Sequence, residues 1–141
     1  MERNCQLNRQ QRPARPLPAA RLYTSALFLG RVRYVSKTCD QWFILSALHG
    51  VVEPDHVLQP YNVTLDDAPR KERREWSRRV LRQLRDRLGD LGQYEFELHA
   101  GASYRDFGLC EGLEAAGAAV TNPTAGLRIG HQLRFYAKGA S

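Results

Sequence analysis

The run Trp42-Phe43-Ile44-Leu45 most limits what this chain can fold into. Side chains of a strand point alternately to its two faces, so four consecutive apolar residues leave neither face polar. Such a strand needs cover on both sides, as in a parallel sheet with helices packed on it. The flanking patterns agree. Leu27, Phe28, Val32 and Val35 recur at helical spacing before the run, with Thr24 or Ser25 placed to cap that helix. Further on, Tyr94 to Leu98 alternates as a second strand, and a helix is expected over 103–116 with Gly117 as its stop. Ala118-Ala119-Val120 reads as a weaker strand, and a last helix runs through Leu133 and Tyr136. The expected fold is therefore α/β, with a short, mostly parallel sheet in three layers between flanking helices.

The clearest helix is 69–88. Trp76, Val80, Leu84 and Leu88 stand four apart with Leu81 beside them, which makes one buried stripe. Lys71, Arg74, Arg78, Arg82 and Arg85 fall within a fan of about 80°, centred roughly 130° away from that stripe at 100° per residue. Glu75–Arg79 and Arg82–Asp86 are spaced to pair along the helix. Residues 70–90 carry nine basic and four acidic side chains, and residues 1–20 carry four Arg against Glu2. The net charge of +6 thus comes from one helix and a basic lead-in, while the remainder is slightly acidic. A cationic row of this kind suits polyanions, nucleic acid above all, through phosphate neutralisation.

Residues 1–20 read as a Pro-rich, flexible lead-in, 21–138 as one domain, and 139–141 as a tail. No apolar run approaches the roughly 18–20 residues of a helical membrane span. The basic, proline-containing start lacks the apolar core of a secretory signal. Cys5, Cys39 and Cys110 are odd in number and widely spaced, which points to reduced thiols and a cytoplasmic setting. No metal is expected, because His49 and His56 are seven residues apart and no cysteine is near. No cofactor is expected either, since Gly126-Leu127-Arg128-Ile129-Gly130 lacks the spacing of a dinucleotide or phosphate loop.

In sheets of this type ligands bind beyond the carboxyl ends of the strands. That rule selects two segments. The first, after Leu45, holds Ser46, His49, Gly50, Asp55 and Tyr61 within the long, turn-rich stretch 46–67. Ser46 and His49 can exchange hydrogen bonds with a ligand, and Gly50 allows a sharp turn. His49 or Asp55 can activate water, and Tyr61 can hold a planar ring. The second is Gly101-Ala102-Ser103-Tyr104-Arg105, where a strand feeds a helix. There, backbone N–H groups and Arg105 can receive an anion, unless Ser103 simply caps the helix. The two segments are expected to face one another across a shared hollow.

These motifs resemble a known pattern. Leu22-Tyr23-Thr24-Ser25-Ala26-Leu27-Phe28, then Phe43 to Asp55, then Pro60-Tyr61-Asn62-Val63-Thr64-Leu65, resemble the bacterial family known as domain of unknown function 6884. Ala100 to Arg105 and Gly126 to Leu133 fit it as well. The likeness covers about residues 20–136 and implies no assigned chemistry. Members open with an apolar strand that ends in a small polar turn with a cysteine. Here Cys5 stands at that turn with nothing apolar before it, so the first strand is either missing or replaced from Leu7 onward. A more distant likeness is to the peroxide-stress YaaA-type proteins, associated with DNA binding and protection against oxidative damage. Their similarity to uracil-DNA glycosylases implies a nucleobase or nucleoside site, although this chain is shorter and shows no helix-hairpin-helix.

Two functional expectations follow. One is a nucleotide- or nucleobase-binding enzyme acting on an N-glycosidic bond. In it His49 or Asp55 is catalytic, and Ser46, Gly50, Tyr61, Gly101, Ser103, Tyr104 and Arg105 hold the substrate. The other is a non-enzymatic module that binds nucleic acid or a partner through Lys71, Arg74, Arg78, Arg82 and Arg85.

Overall fold

The computed structural model describes residues 2–4, 17–22, 25–58, 61 and 63–140. In chain order the elements begin with β1 (Glu2–Asn4), β2 (Leu17–Pro18), α1 (Ala19–Leu22), α2 (Ala26–Thr38), β3 (Phe43–Ser46), β4 (Gly50–Val52) and β5 (Val57–Leu58). There follow a 3₁₀ turn (Leu65–Asp67), α3 (Arg70–Leu88), a second 3₁₀ turn (Leu91–Gln93) and β6 (Glu95–His99). The chain closes with α4 (Ala102–Arg105), α5 (Leu109–Ala115), β7 (Ala119–Thr121) and α6 (Ile129–Ala140). The result is a mixed α/β fold.

Local chemistry explains most of the boundaries. Ser25 Oγ accepts the Phe28 N–H at 3.1 Å, satisfying one of the free donors of the first turn of α2. Thr24, the other cap candidate, lies outside the described residues. Gly89, at φ +78°, ends α3 in a conformation that a side chain would strain. Residues 103–116 form two short helices rather than one. The break at Asp106–Gly108 includes Gly108 at φ +121°, where the helical pattern alone gives no warning.

The five-stranded sheet has the order β4-β3-β1-β6-β7. β1 is parallel to both β3 and β6, β6 is parallel to β7, and β4 is antiparallel to β3. The idea that the first strand is missing, or replaced from Leu7 onward, is corrected here. Glu2–Asn4 fills the central position, with Glu2 opposite Phe43 on one side and Leu98 on the other. Hydrogen bonding to two neighbours defines this strand, and its three polar residues carry no hydrophobic pattern. The lead-in also supplies β2, which pairs with β5, and α1, so it is not free of secondary structure. Residues 5–16 lie outside the described residues.

The stretch 46–67, read as one long loop, contains a hairpin. β4 folds back on β3 with Leu45 opposite Val51 and Ser46 opposite Gly50. Gly50, at φ +78°, makes the return possible, and Val51 and Val52 are buried on opposite faces of the sheet. Phe43, Leu45, Val51, Phe96 and Leu98 form one core with Trp76, Val80 and Leu84 of α3 and Leu109 and Leu113 of α5. On the other face Ile44 and Val52 join Ala19, Phe28 and Tyr61. α6 packs against α2 beside that second face. Among the described residues no helix is long and apolar enough to cross a membrane.

Candidate functional site

The turn after β3 is held by its own polar groups. Ser46 is fully buried; its Oγ lies 2.7 Å from the Tyr61 hydroxyl and accepts the His49 N–H at 3.0 Å. Its carbonyl accepts from Trp76 Nε1 at 2.9 Å. Ser46 and Tyr61, read as ligand-binding groups, therefore brace each other in the interior. The His49 ring stands edge-on to Tyr61, with centroids 5.4 Å apart, and the residue reaches solvent. Partial burial lowers its pKa below the ordinary histidine value, and the nearby charges of His56 and Arg79 lower it further. Its imidazole is thus neutral at neutral pH and available as a base. Asp55 is exposed in the turn between β4 and β5. No hydrogen bond joins it to His49 among the described residues.

The second segment is built around Tyr104, which is fully buried. Its hydroxyl accepts the Leu65 N–H at 3.2 Å and lies 3.3 Å from Thr64 Oγ1. Gly101, not Ser103, occupies the cap position of α4, and Ser103 sits half-buried inside that helix. α4 has only four residues, so it carries little of the dipole expected to attract an anion. Arg105 is engaged locally, donating to the Ala100 carbonyl at 3.2 Å and to Asp106 at 2.8 Å. What links the two segments is Trp76. Its indole N–H meets Ser46, and its ring stands edge-on to Tyr104 at 5.3 Å. An indole, rather than an open hollow, therefore lies between Ser46 and Tyr104.

Helix α3 divides its cations between two tasks. Arg73 donates to the Leu65 carbonyl at 2.9 Å and the Asp66 carbonyl at 3.1 Å, with its guanidinium 4.8 Å from the Phe107 ring centre. Arg79, spaced to pair with Glu75, donates instead to the Leu48 carbonyl at 3.1 Å. Gln83 accepts the Val51 N–H at 2.8 Å and donates to the His49 carbonyl at 3.1 Å. One edge of the helix thus grips the 46–67 stretch. Lys71, Arg74, Arg78, Arg82 and Arg85 are all exposed, and none forms an ion pair among the described residues.

One buried polar cluster escaped the sequence reading. His99, at the end of β6, is fully buried. Its Nδ1 lies 2.8 Å from the Tyr136 hydroxyl and its Nε2 lies 3.0 Å from Glu97. Thr124 Oγ1 lies 3.2 Å from the same hydroxyl. Through Nε2–H the ring can donate to Glu97, and through Nδ1 it shares a hydrogen bond with the Tyr136 hydroxyl. The usable signal was alternation: His99 shares a face with Glu97, the face that α2 and α6 cover.

Two cavities flank these elements. One of about 590 Å³ lies at the amino ends of the strands, beside Phe43, Glu95 and Ala119. The other, about 500 Å³, runs between α3 and residues 63–68. His49, Asp55 and Ser103 line neither. No cluster of three or more His, Cys, Asp or Glu suited to a metal occurs among the described residues. The model of a family of unknown function, DUF6884, matches residues 5–138. Neither a curated protein nor a solved structure matches the chain.

Proposed function

The chain belongs to DUF6884, a family of unknown function, and from its geometry we propose that it binds nucleic acid through the outer face of α3. One observation carries the reading. Five cations line one exposed side of a 19-residue helix and form no ion pair among the described residues, while Arg73 and Arg79 are engaged with the chain's own carbonyls. Unpaired, exposed cations in a row release phosphate counterions on contact, which drives association without base contacts. On this reading the sheet is a three-layer, mostly parallel scaffold that holds α3 rigid through Trp76, Val80 and Leu84. A cytoplasmic setting belongs to the same reading: nucleic acid is at hand there, and thiols such as Cys39 and Cys110 stay reduced. Reversal of Arg74, Arg78 and Arg82 to Glu tests it. Binding of labelled DNA or RNA near physiological salt should be lost; unchanged affinity refutes the reading.

A second reading has its own supporting observation. His49 is solvent-accessible, neutral and set against Tyr61 at the end of β3, as a base acting on an N-glycosidic bond requires. Release of bases from nucleosides, nucleotides and damaged DNA by the wild type, lost in His49→Ala and Asp55→Ala, would establish it. Equal release by all three proteins dismisses it.

A further inference from the structure

We propose that the groove between α3 and residues 63–68 holds one unpaired, amino-bearing nucleobase of a single strand whose phosphates lie on the basic face. This inference rests on the nucleic-acid reading above. The groove measures about 500 Å³, within the usual size of a small-ligand site. Arg82 lines it and also belongs to the exposed cationic row, so the groove opens onto the phosphate path.

Its charges are segregated. Glu72, Glu75, Arg79 and Arg82 follow at steps of three and four along α3 and all line the groove. The midpoints of the acidic and basic pairs are seven residues apart, roughly 10 Å along the axis at 1.5 Å per residue. Asp67 adds to the acidic end. A phosphate is attracted to the arginine end and repelled from the carboxylates. The acidic end accepts hydrogen bonds, so it selects a neutral group that donates them. A base carried on a phosphate spine meets both demands at once.

The exocyclic amines of cytosine, adenine and guanine are such donors, and carboxylates pair with the cytosine amine. Thymine and uracil have no exocyclic amine, and their single N3–H is flanked by carbonyl oxygens that the carboxylates repel. In a duplex each base is stacked and held by its partner strand, so only a single strand can turn a whole base into the groove. One further feature leaves room for a ligand. Neither Glu72 nor Glu75 forms an ion pair among the described residues.

The test compares labelled oligo-dC and oligo-dT of equal length, both pyrimidines, with the full chain at fixed salt, by fluorescence anisotropy. Oligo-dC should bind about tenfold tighter, the worth of one good base-specific contact. Glu72 and Glu75 are both exposed, so Glu72→Gln/Glu75→Gln leaves the core intact. In that variant the amide both accepts and donates, and the preference should vanish while binding persists. Equal affinity of the wild type for dC and dT, or a preference that survives in the variant, overturns the groove assignment alone. Failure to bind any strand overturns the nucleic-acid reading and this inference with it.

Discussion

Gly50→Ala should cost about 3–5 kcal/mol of folding stability, a large part of the 5–15 kcal/mol typical of a domain. Two effects contribute. Gly50 sits at φ +78°, and a side chain in that left-handed region costs about 1–2 kcal/mol. The new Cβ would also fall on Gln83 Oε1, forcing that side chain out of its place. Gln83 then releases the Val51 N–H, and a buried donor left unsatisfied costs about 1–3 kcal/mol. It also gives up its bond to the His49 carbonyl, a net contribution of about 0.5–1.5 kcal/mol. Equilibrium unfolding in urea measures the loss, and a double-mutant cycle separates the parts. On a Gln83→Ala background, Gly50→Ala should cost only the backbone share. A total under about 1 kcal/mol, or the same cost with and without Gln83, would refute the reasoning.

Ser77→Ala should stabilise the protein by about 1 kcal/mol, because alanine favours helix and a buried hydroxyl is removed. Ser77 is 1% exposed, and its Oγ has no hydrogen-bond partner among the described residues; a lower urea midpoint would show that the hydroxyl is engaged. The His49 imidazole should titrate by NMR below 6.5. The unfolded ring then takes up a proton more readily than the folded one, so stability falls as pH drops from 6.5 through the folded pKa. His49→Gln should remove that step, and a midpoint at or above 6.5 contradicts the account.

Elements with strong periodicity were readable from the residues. The stripe at Trp76, Val80, Leu84 and Leu88 placed α3 to within a residue, and the apolar run at 42–45 announced a strand buried on both faces, observed at Phe43–Ser46. β1 was not readable, because Glu2-Arg3-Asn4 holds its place by backbone pairing on two sides. The hairpin within 46–67 was hidden for a different reason: Val51-Val52 is too short to show alternation. At the candidate site, composition singled out polar segments but not which of their atoms are free. Ser46, Tyr61 and Tyr104 look like ligand groups in sequence, yet each hydroxyl is engaged by a contact 15 to 40 residues distant. The five stripe cations were legible because a helix fixes their angular spread regardless of tertiary contacts.

The central claim is that α3 meets phosphate with its outer face, and the salt dependence of binding tests it most directly. Five phosphate contacts on a single strand predict a slope of log K against log salt of about −3.5, at 0.7 per contact. Arg74→Glu, Arg78→Glu and Arg85→Glu together should reduce that slope to about −1.4 or shallower. A flat dependence in the wild type, or an unchanged slope in the triple variant, contradicts the account.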